Sequence, residues 1–138
     1  MAGYFGTLLL KKLGIKVGFR LAFVNAPDSF AGALGPLPVG VVEMVEPVAP
    51  LDLVVLFVDR LVTLTSHFAP LASRLAPAGM IWVSWPKKSS GVVTDVSEGL
   101  VRDHGLGVGL VDVKICAIDE TWSGLKFVYR LKGRPTRP

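Results

Sequence analysis

The sequence predicts an α/β fold in which helices cover both faces of a mostly parallel sheet that ends in an antiparallel hairpin. Near-continuous apolar runs such as Leu53 to Val58 are typical of parallel strands buried on both faces. Helical segments separate most of these runs, so the strands they connect should be parallel. The last two runs are joined only by DETWSG, and a connection this short requires an antiparallel pair.

The first half of the chain is predicted to hold two helices and three strands. A helix over residues 7–13 ends at the next glycine, and an apolar strand follows over 19–24. A weak helix begins near Ser29, with Asp28 or Ser29 as its N-cap. VGVVEMVE is then a second strand that ends at Glu46, and LDLVVLFV is the third.

The second half is predicted to alternate helices and strands before the hairpin. One helical stripe is formed at steps of three and four by Leu61, Leu64, Phe68, Leu71 and Leu75. Pro70 should kink or split this helix, and APAG should turn the chain into the strand MIWVSW. Asp95 and Glu98 have capping-box spacing at the start of a further helix, and GLGVG is predicted to be a tight turn. GLVDVKICAI and LKFVYRL are the hairpin strands.

Length and charge predict one domain over residues 1–131 and a basic tail over residues 132–138 of the 138-residue chain. The longest apolar run has six residues, whereas a membrane-spanning helix needs about 20, so no membrane partner is expected. The net charge of +4 arises from five basic residues at or after Lys126, where no acid occurs. Such a tail is typical of a solvated terminus rather than a nucleic-acid contact. A single cysteine, Cys116, indicates a reducing cytoplasm.

Three segments resemble class I S-adenosylmethionine-dependent methyltransferases. LGIKVGFRLAFV is similar to the helix–glycine–strand entry to that family's first motif, LDLVVLFV to its fourth strand, and LASRLAPAGMIWV to the turn into its fifth strand. The resemblance implies a Rossmann-like, methyltransferase-like fold whose antiparallel last strand is slotted beside the sixth.

The first motif departs from the family pattern of an acidic residue followed by three alternate glycines. The acidic position falls on Phe23, and the glycine positions fall on Asn25, Pro27 and Ser29. Glycine allows positive φ and close ligand approach, whereas proline fixes φ and removes a backbone donor. Glu46 matches the acidic residue that holds ribose hydroxyls in the family. The resemblance thus implies the fold, but no bound cofactor is expected from it.

A second resemblance covers the chain from Gly3 to about Arg130. GYFGTLLLKKLGI, WVSWPKK and DETWSGLKFVYR are similar to the signature segments of a family of small stand-alone bacterial proteins of unknown function. This resemblance implies a bacterial cytosolic protein and carries no activity with it.

Candidate ligand-binding residues follow the predicted strands, because ligands of open α/β sheets bind beyond the carboxyl ends of the parallel strands. They are Asn25, Asp28, Glu46, Asp59, Trp85, Lys87, Lys88, Ser89, Asp119, Glu120 and Trp122. The lysines and serine suit a phosphate or carboxylate, the carboxylates form a pair in the hairpin, and the tryptophans offer flat surfaces for a base. His67 and His104 lie on predicted helices, away from this edge and without a second ligand at metal spacing, so no metal is expected.

These features favour a Rossmann-like protein that is not a working methyltransferase and that binds a small anionic or nucleotide-like ligand, or a protein partner, at the sheet edge. One alternative is a methyltransferase with an atypical cofactor loop that holds S-adenosylmethionine through Glu46 and backbone near Asn25. Another is a nucleic-acid-binding module that uses the basic tail with Lys87 and Lys88. The apolar GYFGTLLL segment leaves a homo-oligomer open.

Overall fold

The computed structural model describes residues 8–48 and 50–130, and its strands form one six-stranded sheet. The strands are β1 (Arg20–Val24), β2 (Val42–Glu43), β3 (Leu51–Phe57), β4 (Leu75–Pro86), β5 (Leu110–Ala117) and β6 (Trp122–Tyr129). The helices are α1 (Leu9–Leu13), α2 (Ser29–Leu34), α3 (Leu61–Ala72) and α4 (Glu98–Val108), with a short 3-10 helix at Lys88–Ser90. The predicted fold class and element order are confirmed. Residues 1–7 and the predicted tail, 132–138, lie outside the described residues.

The sheet has the order β2-β1-β3-β4-β6-β5. β1 pairs in parallel with β2 and β3, and β3 pairs in parallel with β4. β6 is antiparallel to both of its neighbours and is inserted between β4 and β5. The predicted parallel sheet with a C-terminal antiparallel hairpin is therefore confirmed.

Helices cover both faces because buried side chains alternate along the central strands. Val54 and Leu56 of β3 belong to a core cluster that includes residues of α3 and α4. Val55 and Phe57 point the other way and belong to a cluster that includes residues of α1 and α2. No helix within residues 8–48 and 50–130 has the length and apolar character needed to cross a bilayer.

α1 is attached to the middle of the sheet through Trp82. The indole N–H of Trp82 donates to the carbonyl of Leu13 over 2.9 Å, and Trp82 is fully buried. Gly14 ends the helix in the left-handed conformation, with φ of 84°, as the sequence predicts. The end of α1 thus lies over β4.

β2 is shorter than predicted. Only Val42 and Glu43 pair with β1, so the strand does not continue to Glu46. The prediction relied on apolar residues such as Val45, but its side chain is 94% exposed and adds nothing to the core. β2 is a short edge strand, held by hydrogen bonds of 2.8 Å that Val42 donates to the carbonyl of Phe19, just before β1, and Met44 donates to the carbonyl of Leu21 in β1.

The APAG segment is part of β4 and not a turn. Leu51 pairs with Leu75 while Leu53 pairs with Met80, so residues 76–79 form an irregularity within the strand. A Cβ on Gly79 would lie 2.7 Å from the carbonyl oxygen of Leu51. Glycine is therefore needed here for the close approach of two strands. Leu75 belongs to β4, and α3 continues past Pro70 to Ala72 without being split.

The predicted cap of α4 belongs to α3 instead. Asp95 accepts a hydrogen bond from the backbone N–H of Leu61, the first residue of α3, at 2.7 Å. α4 is capped by Ser97, whose hydroxyl oxygen accepts from the N–H of Leu100. The capping-box prediction was wrong because Asp95 bonds to the start of α3, an element distant in sequence, and not to the start of α4.

GLGVG is the last turn of α4 followed by its cap, and not a separate tight turn. Gly109 adopts φ of 113° and ends the helix. Gly105 lies against the ring of Phe127, where any Cβ would collide with the ring carbons. Gly105 therefore reflects close packing on β6, and Gly109 reflects the left-handed end of the helix.

Candidate functional site

The loop between β1 and α2 occupies the position of the family's first motif. Asn25, on the first glycine position, is the one non-glycine among the described residues with positive φ, at 60°. Asparagine tolerates this left-handed conformation better than most residues. Two residues on, the carbonyl of Pro27 accepts from the N–H of Phe30 at 2.9 Å and leads into α2. The loop thus makes its turn with an asparagine where the family uses glycine.

A cavity of about 460 Å³, the loop cavity, lies between this loop, α2 and β2. Two carboxylates, Asp28 and Glu43, line it. Its other lining residues are nearly all apolar: Phe23, Ala26, Pro27, Phe30, Ala31, Leu34, Gly35 and Leu37. Asp28 occupies the N-cap position of α2, as predicted, but its side chain makes no capping hydrogen bond within the described residues. Asp28 is exposed and lines the cavity.

Glu43, and not Glu46, is the acidic residue at the end of β2. The strand ends at Glu43, and Glu46 follows three residues later in an irregular segment. Sequence reasoning missed Glu43 because the strand was expected to run further. The signal that was present is the alternation of Val42, Glu43 and Met44, in which Met44 alone packs on the core.

A second cavity of about 470 Å³, the edge cavity, opens beside the same loop. It is lined by Asn25, Phe57, Asp59, Thr63, His67 and Trp122. Three of the predicted site residues, Asn25, Asp59 and Trp122, therefore meet in one place. Asn25 and Asp59 follow the neighbouring parallel strands β1 and β3, and Trp122 begins β6, which lies beyond β4 in the sheet.

His67 lines the edge cavity, contrary to the expectation that neither histidine lies near this edge. The ring Nδ1 is 3.0 Å from the carbonyl oxygen of Thr63 and 3.1 Å from the hydroxyl of Ser66. A proton on Nδ1, donated to the Thr63 carbonyl, leaves Nε2 with its lone pair. α3 begins directly beyond β3, so its first two turns border the sheet edge. The available sequence signal was that His67 follows Asp59 closely, which places the histidine in the first turns of the helix after β3.

A row of aromatic rings connects the two cavities. Phe23 packs edge-on against Phe30, Phe30 against Phe57, and Phe57 against Trp122, with ring centroids 4.9–5.2 Å apart. The first pair lines the loop cavity and the last pair lines the edge cavity. This aromatic row is a continuous apolar floor, and edge-to-face packing fixes its geometry.

Lys87 and Lys88 lie elsewhere, in a smaller cavity of about 250 Å³ at the end of β4, which we call the β4 cavity. Trp85 lines it too but is 5% exposed and belongs to the core under α3 and α4. Trp85 and Trp122 thus face opposite sides of the sheet. Ser89 lies in the 3-10 helix beside Lys88.

Asp119 shapes the hairpin that positions Trp122. One carboxylate oxygen accepts from the N–H groups of Thr121 and Trp122, both at 2.8 Å. This local Asx-type arrangement sets the start of β6. Glu120 is its exposed neighbour. Within the described parts of the chain, no three His, Cys, Asp or Glu side chains are grouped as metal ligands.

The sheet order, the inserted β6 and the helices on both faces define the class I S-adenosylmethionine-dependent methyltransferase fold. Precorrin-6y C5,15-methyltransferase from Geobacter metallireducens GS-15 matches with a TM-score of 0.58 at 12% identity, over 88% of this chain and 86% of that chain. Fibrillarin from Aeropyrum pernix, solved with natively bound S-adenosyl-L-methionine, matches with a TM-score of 0.57 at 16% identity, over 88% and 72%.

Ribosomal protein L11 methylase from Lactobacillus delbrueckii subsp. bulgaricus matches with a TM-score of 0.56 at 12% identity, over 89% of this chain and 76% of that chain. At these identities the likeness shows the fold alone. No protein-family model matches the chain, and no curated protein matches it in sequence. The resemblance in fold predicted from the sequence is confirmed.

Proposed function

We propose that this chain binds an adenosyl ligand, S-adenosylmethionine or S-adenosylhomocysteine, across the loop and edge cavities. The observation that carries the proposal is the left-handed conformation of Asn25 between the two cavities. It supports a loop that keeps the family's turn without the family's first glycine. From the sequence, the favoured expectation was a small anionic or nucleotide-like ligand, or a protein partner, without a bound cofactor, and S-adenosylmethionine was the alternative that this proposal adopts.

The lining residues fit such a ligand. The loop cavity has the size of a small-molecule pocket, which is typically roughly 300–1,000 Å³. Glu43 and Asp28 would accept hydrogen bonds from ribose hydroxyls, while Phe30 and Leu34 would pack on the base. The aromatic row, with Asp59 at its far end, suits a sulfonium cation, because ring faces and carboxylates both attract positive charge. When bound, S-adenosylmethionine supplies an electrophilic methyl group.

The distribution of charge favours this ligand over a phosphate at the same place. Among the described residues, carboxylates line the loop and edge cavities and no lysine or arginine does, whereas Lys87 and Lys88 line the separate β4 cavity together with Glu98. An anion in the loop cavity would meet Asp28 and Glu43 without a lysine or arginine on the cavity wall. S-adenosylmethionine has no phosphate and carries a net positive charge, because its sulfonium and ammonium groups outweigh its one carboxylate, so it is complementary to the carboxylates of these cavities.

Pro27 sets the expected strength of binding. Proline removes one backbone N–H from the loop, so the ligand loses one donor that a glycine would offer. We expect micromolar affinity for the wild type and a gain of up to about 10-fold for Pro27→Gly, the value of one hydrogen bond. Asn25→Gly should change affinity little, because the turn is already made.

Calorimetric titration with S-adenosylmethionine and S-adenosylhomocysteine tests the proposal. Glu43→Gln should weaken binding about 10-fold or more, because it removes a charge-assisted hydrogen bond. Glu46→Gln is the matched control, with the same change of charge three residues away, and should bind as the wild type does. No heat at millimolar ligand, with circular dichroism showing folded protein, would refute the proposal. Equal losses in both variants would place the ligand elsewhere.

A second candidate function is methyl transfer, favoured by the joint placement of Asp59 and His67 in the edge cavity. His67 with Nδ1 held by Thr63 would accept a proton at Nε2 from an acceptor substrate. Formation of S-adenosylhomocysteine from S-adenosylmethionine in the presence of candidate acceptors distinguishes this function from binding alone. Loss of that product in His67→Ala, with ligand affinity unchanged, would support it.

A further inference from the structure

Four lysines converge on the sheet face that carries α1, and we name them the lysine patch: Lys12, Lys16, Lys114 and Lys126. Lys114 on β5 and Lys126 on β6 are direct cross-strand partners, and Lys126 is also opposite Trp82 of β4. Because Trp82 bonds to the end of α1, Lys12 and the following Lys16 come close to this row. The charges of Lys114 and Lys16 act on Lys126, and those of Lys12 and Lys114 act on Cys116.

The patch is self-repulsive as it stands. Like charges directly opposite each other on neighbouring strands destabilise a sheet. Burial, together with Lys114 and Lys16, lowers the pKa of Lys126. The ion pairs found among the described residues join Arg102 to Glu98 and Asp112 and involve none of these lysines. The four cations therefore lack an acidic partner within the part of the chain that the structure describes.

The shape of the patch points to a repeating anion. None of the cavities described above is lined by its lysines, so a single small anion has no pocket there. Lys114 and Lys126 lie side by side on neighbouring strands, and Lys12 and Lys16 lie near them, so the four charges spread over an open surface. An extended group of cations without a pocket matches a polymer that carries one negative charge per unit.

We propose that the lysine patch binds the phosphodiester backbone of a nucleic acid. Of the four patch lysines, only Lys126, the first of the C-terminal basic residues, was singled out from the sequence, and Lys87 and Lys88 lie outside the patch. Lys87 and Lys88 follow the carboxyl end of β4, whereas Arg130 follows β6 at the other end of β4, because Met80 pairs with Val128 and Pro86 with Trp122. The site is independent of the adenosyl ligand proposed above and serves a second partner.

Fluorescence anisotropy with a labelled single-stranded RNA of about 20 nucleotides, and with a DNA duplex of equal length, measures this binding. Two salt concentrations, about 50 and 200 mM, give the salt slope. The test variant is Lys114→Gln/Lys126→Gln. Its matched control is Lys87→Gln/Lys88→Gln, which removes the same charge beyond the carboxyl end of β4, outside the patch. A chain that stops after Arg130 measures what the following residues add.

We expect the patch variant to lose roughly 10-fold or more in affinity and to lower the salt slope by about 1.8 on the duplex and about 1.4 on the single strand, because each phosphate contact contributes about 0.9 and about 0.7. The control should lose much less. Because the substitutions remove repulsion, the patch variant should also melt no lower than the wild type, which separates loss of contact from unfolding. The preferred arm, RNA or duplex, identifies the source of the phosphates.

Three results would overturn the proposal. The first is no binding by the wild type to either nucleic acid at about 50 mM salt, where such contacts are strong. The second is an equal loss in the patch variant and in its control, which would mean that only net charge matters. The third is equally tight binding of poly-glutamate, which would assign the patch to acidic proteins.

Discussion

At Asn25 the backbone adopts φ of 60°, a left-handed conformation that costs most L residues about 1–2 kcal/mol. Asparagine lowers this cost, and glycine removes it. We therefore expect Asn25→Ala to lower the free energy of unfolding by about 1 kcal/mol, and Asn25→Gly to leave it unchanged or slightly raised. Urea denaturation of the two variants measures the difference. An alanine variant as stable as wild type would show that the turn is not strained.

At the scale of elements, the packing of α4 on β6 depends on a glycine. A Cβ at Gly105 would collide with the ring of Phe127, which is fully buried, whereas Gly107 in the same helix has open space around it. Gly105→Ala should lower the free energy of unfolding by about 1–3 kcal/mol, the usual cost of overpacking. Gly107→Ala should raise it by up to about 1 kcal/mol through helix propensity. Thermal and urea unfolding compare the pair, and a destabilised Gly107 variant would contradict the assignment of this segment to a helix.

Arg102 joins α4 to β5 and makes stability depend on pH. Its Nε donates to Asp112 over 2.9 Å, and this hydrogen bond holds the pKa of Asp112 below its usual 3.8. A lowered pKa means that the bond stabilises the protein above about pH 4, and that this contribution is lost as pH falls through the folded value. Wild type should thus lose stability below about pH 4 more steeply than Asp112→Asn.

Urea unfolding from about pH 5 to about pH 2.5 tests this prediction, because it measures the free energy of unfolding at each pH. Asp103→Asn, an exposed substitution on α4, is the control and should follow the wild-type curve. Parallel curves for wild type and Asp112→Asn would show that the bond to Arg102 adds no pH-dependent stability.

The elements that the sequence predicted well are those whose burial dominates their pattern. The sequence pattern of β3 and of the α3 stripe allows only one type of element each. Leu53 to Phe57 are all buried, and so are Leu64, Phe68 and Leu71. The element details that failed depend on contacts distant in sequence. Gly79 faces Leu51, Gly105 faces Phe127, and Asp95 bonds to Leu61. No local sequence pattern contains these partners. Gly79 and Gly105 were therefore predicted to lie in turns, and Asp95 was predicted to cap the helix nearest to it in sequence.

The candidate site was predicted in part for the same reason. The expectation that ligands bind beyond the carboxyl ends of the strands placed Asn25, Asp59 and Trp122 together, because it depends only on strand order. It missed Glu43, whose position depends on where an exposed edge strand stops. It also missed His67, whose position depends on how close α3 begins to β3.

At the scale of the whole molecule, charge is divided between two surfaces. Carboxylates line the cavities at the carboxyl ends of the strands, and the lysine patch lies along the sheet face beside α1. Lys126 is four residues from Trp122 on β6, roughly 13 Å at the usual strand rise. That separation exceeds the Debye length of about 8 Å at physiological salt. β6 connects the two surfaces and pairs with β4 and β5 along this length, so we expect neither surface to respond to occupation of the other.

We therefore expect the two proposed ligands to bind independently. Calorimetric titration of S-adenosylmethionine, repeated with saturating RNA at about 0.15 M salt, should give dissociation constants within about 2-fold of each other, because the charges are screened. At about 10 mM salt the Debye length reaches about 30 Å, and RNA should then tighten binding of the cationic ligand measurably. Coupling between sites is reciprocal, so anisotropy with saturating ligand must report the same factor. A change of about 10-fold or more in the dissociation constant at physiological salt would mean that a conformational change of the sheet connects the two surfaces.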